Sequence, residues 1–197
     1  MPPKAKFTAE EIIDAAFEIA RTEGLEKITA RELGNRLGSS ARPIFTVFES
    51  MDMIRTEVIL RAKKLYGQYV AAGLQEPIAF KGVGTAYIRF SMQEPKLFQI
   101  LFMSADPKQT SIEHILPQID ADYERILESV RVPYELDRQA ADRIYQHLWT
   151  YTHGIATMCA TGLCDYTAQQ ISDRLTEIFK SLLMMEKGGY ARNDQNR

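Results

Sequence analysis

Residues 29–48, TARELGNRLGSSARPIFTVF, decide how the chain is read. Thr29 can cap a helix, and Glu32 stands three residues on, the spacing at which a glutamate reaches back to the capping N–H. Leu33 and Leu37 sit four apart and share a helix face. Gly38 closes that helix, because glycine enters the left-handed conformation of a helix C-terminus without steric cost. Ser39 or Ser40 can then cap a second short helix carrying Ile44, Phe45 and Phe48. Leu33, Leu37, Ile44, Phe45 and Phe48 form the inward layer. Gly34 is small enough to let two helices approach closely. A helix, a glycine turn and a second short helix make the helix-turn-helix arrangement, whose second helix can enter the DNA major groove.

Upstream, Thr8 and Glu11 repeat the capping spacing. Ile12, Ile13, Ala16, Phe17 and Ala20 form the apolar stripe of a helix that Gly24 stops. Downstream, the apolar periodicity predicts a long helix over 51–72 with Ile54, Val58, Leu65 and Tyr69 inward. A helix over 77–93 follows, opened by Pro77. An apolar helix begins at Pro95, and a polar loop spans 104–110. A helix over 111–130 is kinked or started late by Pro117. Two further helices cover 135–160 and 167–186, the second capped by Thr167. No stretch alternates as a strand does, so the expected fold is all-α. The expected organisation is an N-terminal three-helix helix-turn-helix domain at 1–50, joined by a long helix to a larger helical domain at 51–187. A polar tail, expected to be disordered, occupies 188–197.

The composition is that of an ordinary globular protein, 45% hydrophobic and 25% charged over 197 residues. No apolar run approaches the ~20 residues of a membrane span. No hydrophobic segment follows the N-terminal lysines, so a cytoplasmic protein with no membrane partner is expected. Cys159 and Cys164 are expected as free thiols. The net charge is −2, and residues 1–50 carry seven Lys and Arg against eight Asp and Glu. Phosphate neutralisation supplies much of the affinity for DNA, so any DNA binding must rest on local placement of charge.

The order of helix, helix-turn-helix, long linking helix and larger helical domain resembles the TetR family of bacterial repressors. The resemblance covers essentially the whole chain and is most specific in the first 55 or so residues. The matching residues are Thr29, Glu32, Leu33, Leu37, Gly38, Ser40, Ile44, Phe45 and Phe48. Gly34 stands where the family usually has Ala. Phe45, Val47 and Met51 stand where it usually has Tyr, His and Lys, so three backbone contacts to DNA are lost. Phosphate positioning then falls to Thr29, Arg31, Ser39, Ser40, Thr46 and the helix N-terminus, with Lys4 and Lys6 in a loose arm. Arg42, near the start of the second helix, can grip guanine bidentately; the alternative is a solvated or phosphate-bound arginine. Arg31 occupies a family base-contact position. Pro43 can pack on a thymine methyl or simply shape the first turn. Thr46 is a third outward position.

A second motif, LWTYTHGIA at 148–156, resembles the Trp-His-Gly segment in the C-terminal domains of one TetR subgroup. Trp149 and His153 share a helix face, and with Gly154 they either pack as core or line a ligand pocket. The resemblance implies an effector bound among the middle helices and a homodimer formed by the last two long helices. Candidate effector-binding residues are Tyr87, Phe90, Phe98, Phe102, Tyr123, Trp149 and His153. Their few charges point to a small apolar or aromatic effector.

No cofactor is expected. His147, His153, Cys159 and Cys164 lack the i, i+4 spacing of a helical metal site. No nucleophile elbow, P-loop or dinucleotide fingerprint is present, so an enzyme is not expected. The resemblance implies a ligand-responsive transcriptional repressor binding a pseudo-palindromic DNA operator as a dimer. The alternative is a helical small-molecule-binding or interaction module that has lost DNA binding, a reading prompted by the absent Tyr, His and Lys.

Overall fold

A computed structural model describes residues 6–103, 111–119 and 122–188, with the side chains of His114 and Gln118 excepted. Among the described residues every α-helix and 3₁₀ turn alternates with loops, and no strand occurs. The α-helices are α1 (Ala9–Glu23), α2 (Ala30–Arg36), α3 (Met51–Gly73), α4 (Ala79–Gln93), α5 (Pro95–Phe102), α6 (Ile112–Ile119), α7 (Tyr123–Arg131), α8 (Arg138–Ala160) and α9 (Ala168–Lys187). The expectation of an all-α fold holds. The expected arm residue Lys4, the loop at 104–110 and the tail from 189 onward lie outside the described residues.

Capping residues start the helices where local chemistry puts them. Thr8 and Glu11 form a reciprocal capping box on α1, and Thr167 and Gln170 form one on α9. The Asp137 carboxylate accepts the Ala140 N–H at 2.7 Å and starts α8, three residues later than the apolar pattern alone indicated. The helix expected over 111–130 is instead two, α6 and α7. Pro117 sits inside α6, where it lacks a backbone donor and its ring crowds the preceding turn.

The chain divides into two compact units, Met1–Tyr66 with Phe90–Ala105 and Gly67–Arg89 with Asp106–Arg197. In the first, α1 presents Ile12, Ala16, Phe17, Ile19 and Ala20 to the core. Ile13, expected inward, is half-buried, and Ile19 takes its place. Leu33, Ile44, Ile54, Val58, Leu97 and Phe98 complete this core. Arg21 of α1 donates two hydrogen bonds to Glu94, at 2.7 and 2.5 Å. The Glu94 carboxyl is buried, so it depends on that guanidinium. Removing one partner of a buried pair leaves an uncompensated charge. Arg21→Ala is therefore expected to destabilise by about 2–3 kcal/mol, below the full buried-pair cost because Arg21 is half-exposed. Arg21→Ala/Glu94→Leu should recover most of the loss in a urea melt.

In the second unit α8 packs on α9 and on α7. Its buried face carries Ala141, Ile144, Tyr145, Leu148, Ile155 and Ala156. The end of α3 crosses the start of α4 at two glycines. A Cβ on Gly73 would lie 2.7 Å from the Gly82 carbonyl oxygen, so a side chain there would pry the two helices apart. Arg143 of α8 and Glu186 of α9 form a paired fork at 2.8 and 2.6 Å. Cys159 and Cys164 are free.

Candidate nucleic-acid interface and aromatic clusters

The Thr29 hydroxyl accepts the Glu32 N–H at 3.1 Å, as its spacing predicts. The Glu32 carboxylate pairs with Arg36 at 3.4 Å, so the box is half of the expected one. Gly38 has φ +62°, the left-handed conformation that turns the chain out of α2. Ser39 N–H donates to the Gly34 carbonyl at 2.9 Å. A Cβ on Gly34 would lie 3.0 Å from Ser39 O and 3.1 Å from Ala41 N. Gly34 therefore seats the turn against α2, where the sequence suggested two helices in contact.

The expected second helix is a 3₁₀ turn, Ile44–Thr46. Pro43 has no N–H to donate, and Ile44, Thr46 and Val47 bond three residues back, to Ala41, Pro43 and Ile44. The Thr46 hydroxyl also donates to the Pro43 carbonyl at 2.6 Å, competing with an α-helical ladder. Ile44 is fully buried and Phe48 is 8% exposed, but Phe45 is 46% exposed. A 3₁₀ turn rotates about 120° per residue, which carries Phe45 away from the face that Ile44 buries. The expectation that Phe45 points inward is corrected.

Thr29, Arg31, Ser40, Arg42 and Thr46 are exposed, and Ser39 and Pro43 are half-buried. Lys6 Nζ donates to Ser39 Oγ at 2.9 Å, which brings a cation to the turn. Charge in the first unit is unevenly used. Arg21 pairs with Glu94, Arg36 with Glu23, Arg55 with Asp52 and Arg61 with Asp14. Arg31 and Arg42 are the two arginines of this unit without a carboxylate partner among the described residues. Glu23 of α1 thus neutralises Arg36 at the end of α2, and Asp14 of α1 neutralises Arg61.

The seven aromatic and histidine residues proposed for an effector fall into three groups. Phe90, Phe98 and Phe102 pack with Tyr66 inside the first unit, at ring-centroid separations of 5.0–6.4 Å. Phe90 and Phe98 are fully buried. Tyr123 packs on Tyr145 and donates to Asp142 Oδ1 at 2.5 Å. Burial and that carboxylate raise its pKa well above the usual phenol range.

Tyr87, Trp149 and His153 make the third group, in the second unit. The indole and imidazole stack at 4.8 Å with an interplanar angle of 7°. The Tyr87 hydroxyl lies 2.9 Å from His153 Nδ1. Trp149 Nε1 is buried with no partner among the described residues, a donor that a bound acceptor would satisfy. Burial lowers the His153 pKa, favouring the neutral ring. The unfolded chain then binds more protons than the folded one between the lowered value and about 6.5. Stability from this group is complete above about pH 6.5 and falls as the pH drops through that window. Thermal melts should show this slope, and His153→Gln should flatten it.

None of the seven lines the apolar groove that the second unit does contain, about 300 Å³ between α4, α8 and α9. Phe80, Gly84, Leu148, Leu175 and Phe179 wall it. The spacing of Phe80 and Gly84, and of Leu175 and Phe179, shows one face of each helix. Nothing in the sequence shows that faces roughly 95 residues apart meet.

Residues 80–183 match the family model described as the tetracyclin repressor-like C-terminal domain. The chain belongs to the TetR family. The HTH-type transcriptional regulator YobS of Bacillus subtilis (strain 168) is 24% identical over 115 residues, spanning 57% of this chain and 60% of YobS. Two solved structures share the fold. A TetR-like transcriptional regulator from Rhodococcus sp. RHA1 superposes with a TM-score of 0.60 at 15% identity, over 96% of this chain and 100% of that one. The fatty acid degradation regulator FadR of Bacillus halodurans does so at 0.56 and 16%, over 93% and 95%. YobS and the Rhodococcus protein are both transcriptional regulators. No helix among the described residues of this TetR-family chain is long and apolar enough to cross a membrane.

Proposed function

We propose that this TetR-family chain is a ligand-responsive repressor that binds a pseudo-palindromic operator as a homodimer. Residues 1–50 would bind DNA, and residues 51–187 would hold the effector and the dimer contact. One observation carries the reading. Arg31 and Arg42 flank the helix-turn-helix turn, exposed and without carboxylate partners among the described residues. Exposed Thr29, Ser40 and Thr46 and the Lys6 ammonium add donors suited to phosphate.

Two copies would join through α8 and α9. Met184 and Met185, 74% and 51% exposed at the end of α9, and the open space around Gly154 of α8 support that face. In the DNA-bound state the two turns would lie about 34 Å apart and reach successive major grooves. A small apolar or aromatic effector would act by preferring the state with another separation, since equal affinity for both states shifts nothing. His153, Tyr87 and the unpartnered Trp149 donor are proposed effector contacts.

A gel shift with DNA flanking the chain's own reading frame tests the reading. Sequence-specific retardation at low salt is expected. A second reading, a ligand-binding module without DNA binding, is favoured by the 3₁₀ turn that replaces a full recognition helix. Ligand binding with no specific shift would establish it. A chain that sediments as a monomer at micromolar concentration would refute the dimer.

A further inference from the structure

Two adjoining hollows in the second unit share Ile78 and Lys81. The more enclosed one is the groove between α4, α8 and α9. Lys81 and Lys180 are the only charged residues in its lining, and no carboxylate faces it. The more open one, about 370 Å³, is lined by Lys81, Thr85, Arg89 and Ser172, with Glu76 as its one acidic residue. An apolar channel therefore opens onto a mouth rich in cations and hydroxyls. Lys81 Nζ donates to Ser172 Oγ at 2.7 Å, which holds the ammonium half-buried between α4 and α9. Arg89 is steadied over the Tyr69 ring, 5.8 Å from its centroid. Among the described residues Lys81, Arg89 and Lys180 form no ion pair. Ile78, 54% exposed, makes an apolar lip where the hollows meet.

We propose that this groove binds a medium-chain fatty carboxylate. The chain lies among Phe80, Leu148, Leu175 and Phe179, and the carboxylate meets Lys81 and Arg89 at the mouth. The walls are largely apolar, with Thr176 and Tyr134 as their uncharged polar residues, whereas an anionic head satisfies the half-buried ammonium with a charge-assisted hydrogen bond. The groove is at the small end of ligand pockets, which suits a medium chain better than a long one. Binding stands by itself; its use as a regulatory signal, at a site apart from Tyr87, Trp149 and His153, rests on the regulatory reading above.

Calorimetric titration of the full chain with sodium hexanoate, octanoate and decanoate tests it. One site per chain is expected, with affinity rising about fourfold per added CH₂ until the groove is full. 1-Decanol should bind at least about tenfold more weakly than decanoate, in keeping with the strength of charge-assisted hydrogen bonds. Lys81→Gln should erase that difference, lowering decanoate affinity and leaving decanol unchanged. Gly84→Leu should block both, because a Cβ at Gly84 meets nothing nearer than Leu175 Cδ1 at 3.4 Å and a longer side chain enters the groove. Circular dichroism checks that each variant is folded; if Gly84→Leu is not, Lys81→Gln decides alone. Equal binding of decanol and decanoate overturns the proposal. So does undiminished decanoate binding in Lys81→Gln, or preference for decanoyl-CoA over the free acid. A failed gel shift leaves these titrations untouched, so the two readings fail separately.

Discussion

Phe98→Ala is expected to lower stability by about 3–5 kcal/mol, the cost of deleting a buried aromatic side chain and leaving a cavity. Phe98 is fully buried on α5 and packs against Phe102, 5.1 Å between ring centroids. Phe102 in turn contacts Tyr66 and Phe90, so the loss reaches a connected aromatic core. In a chain of this length each kcal/mol moves the melting temperature by about 2–4 °C, so a drop of roughly 10 °C follows. A urea melt followed by far-ultraviolet circular dichroism measures it. The sequence offered Phe98 as an effector contact. A loss below about 1 kcal/mol, with the response to effector abolished, would restore that role.

Arg42→Ala is expected to cost about 10- to 100-fold in discrimination between operator variants, the value of one bidentate base contact. Arg42 is exposed beside the turn and, among the described residues, has no carboxylate to release before it can bind a base. Lys6→Ala should act differently, weakening binding to all sequences alike and lowering the slope of log K against log salt by about 1. Competition gel shifts on single-base operator variants separate the two effects. Unchanged relative affinities for Arg42→Ala would assign that arginine to phosphate. Phe45→Tyr is expected to tighten DNA binding without loss of stability. Its ring is already 46% exposed, and the added hydroxyl can reach phosphate at no packing cost.

Much of the architecture was legible because it is set by neighbours in the chain. Thr8, Thr29 and Thr167 cap the helices they precede. Gly38 turns the chain after α2, with its φ positive. Each of these depends on contacts three or four residues apart, which spacing displays directly. The 3₁₀ turn at Ile44–Thr46 was less legible. The apolar positions suit either helix type, and the competition between Pro43, the Thr46 hydroxyl and the backbone decides between them. The aromatic residues were legible as aromatic and apolar, but not as core or pocket.

The sequence alone determined the all-α class, most helix starts, the helix-turn-helix order and the TetR resemblance, because local capping and periodicity encode them. Tertiary structure alone decided which charges are free. Arg36 and Arg42 look alike in sequence, yet Glu23 pairs with the first, 2.6 Å away, and no described carboxylate with the second. It also decided that Phe98 is core, and that Phe80, Lys81 and Phe179 share a groove with a charged mouth. Those facts depend on side chains tens of residues apart meeting in space. Coulomb attraction and burial act over ångströms, and a sequence shows separation only along the chain.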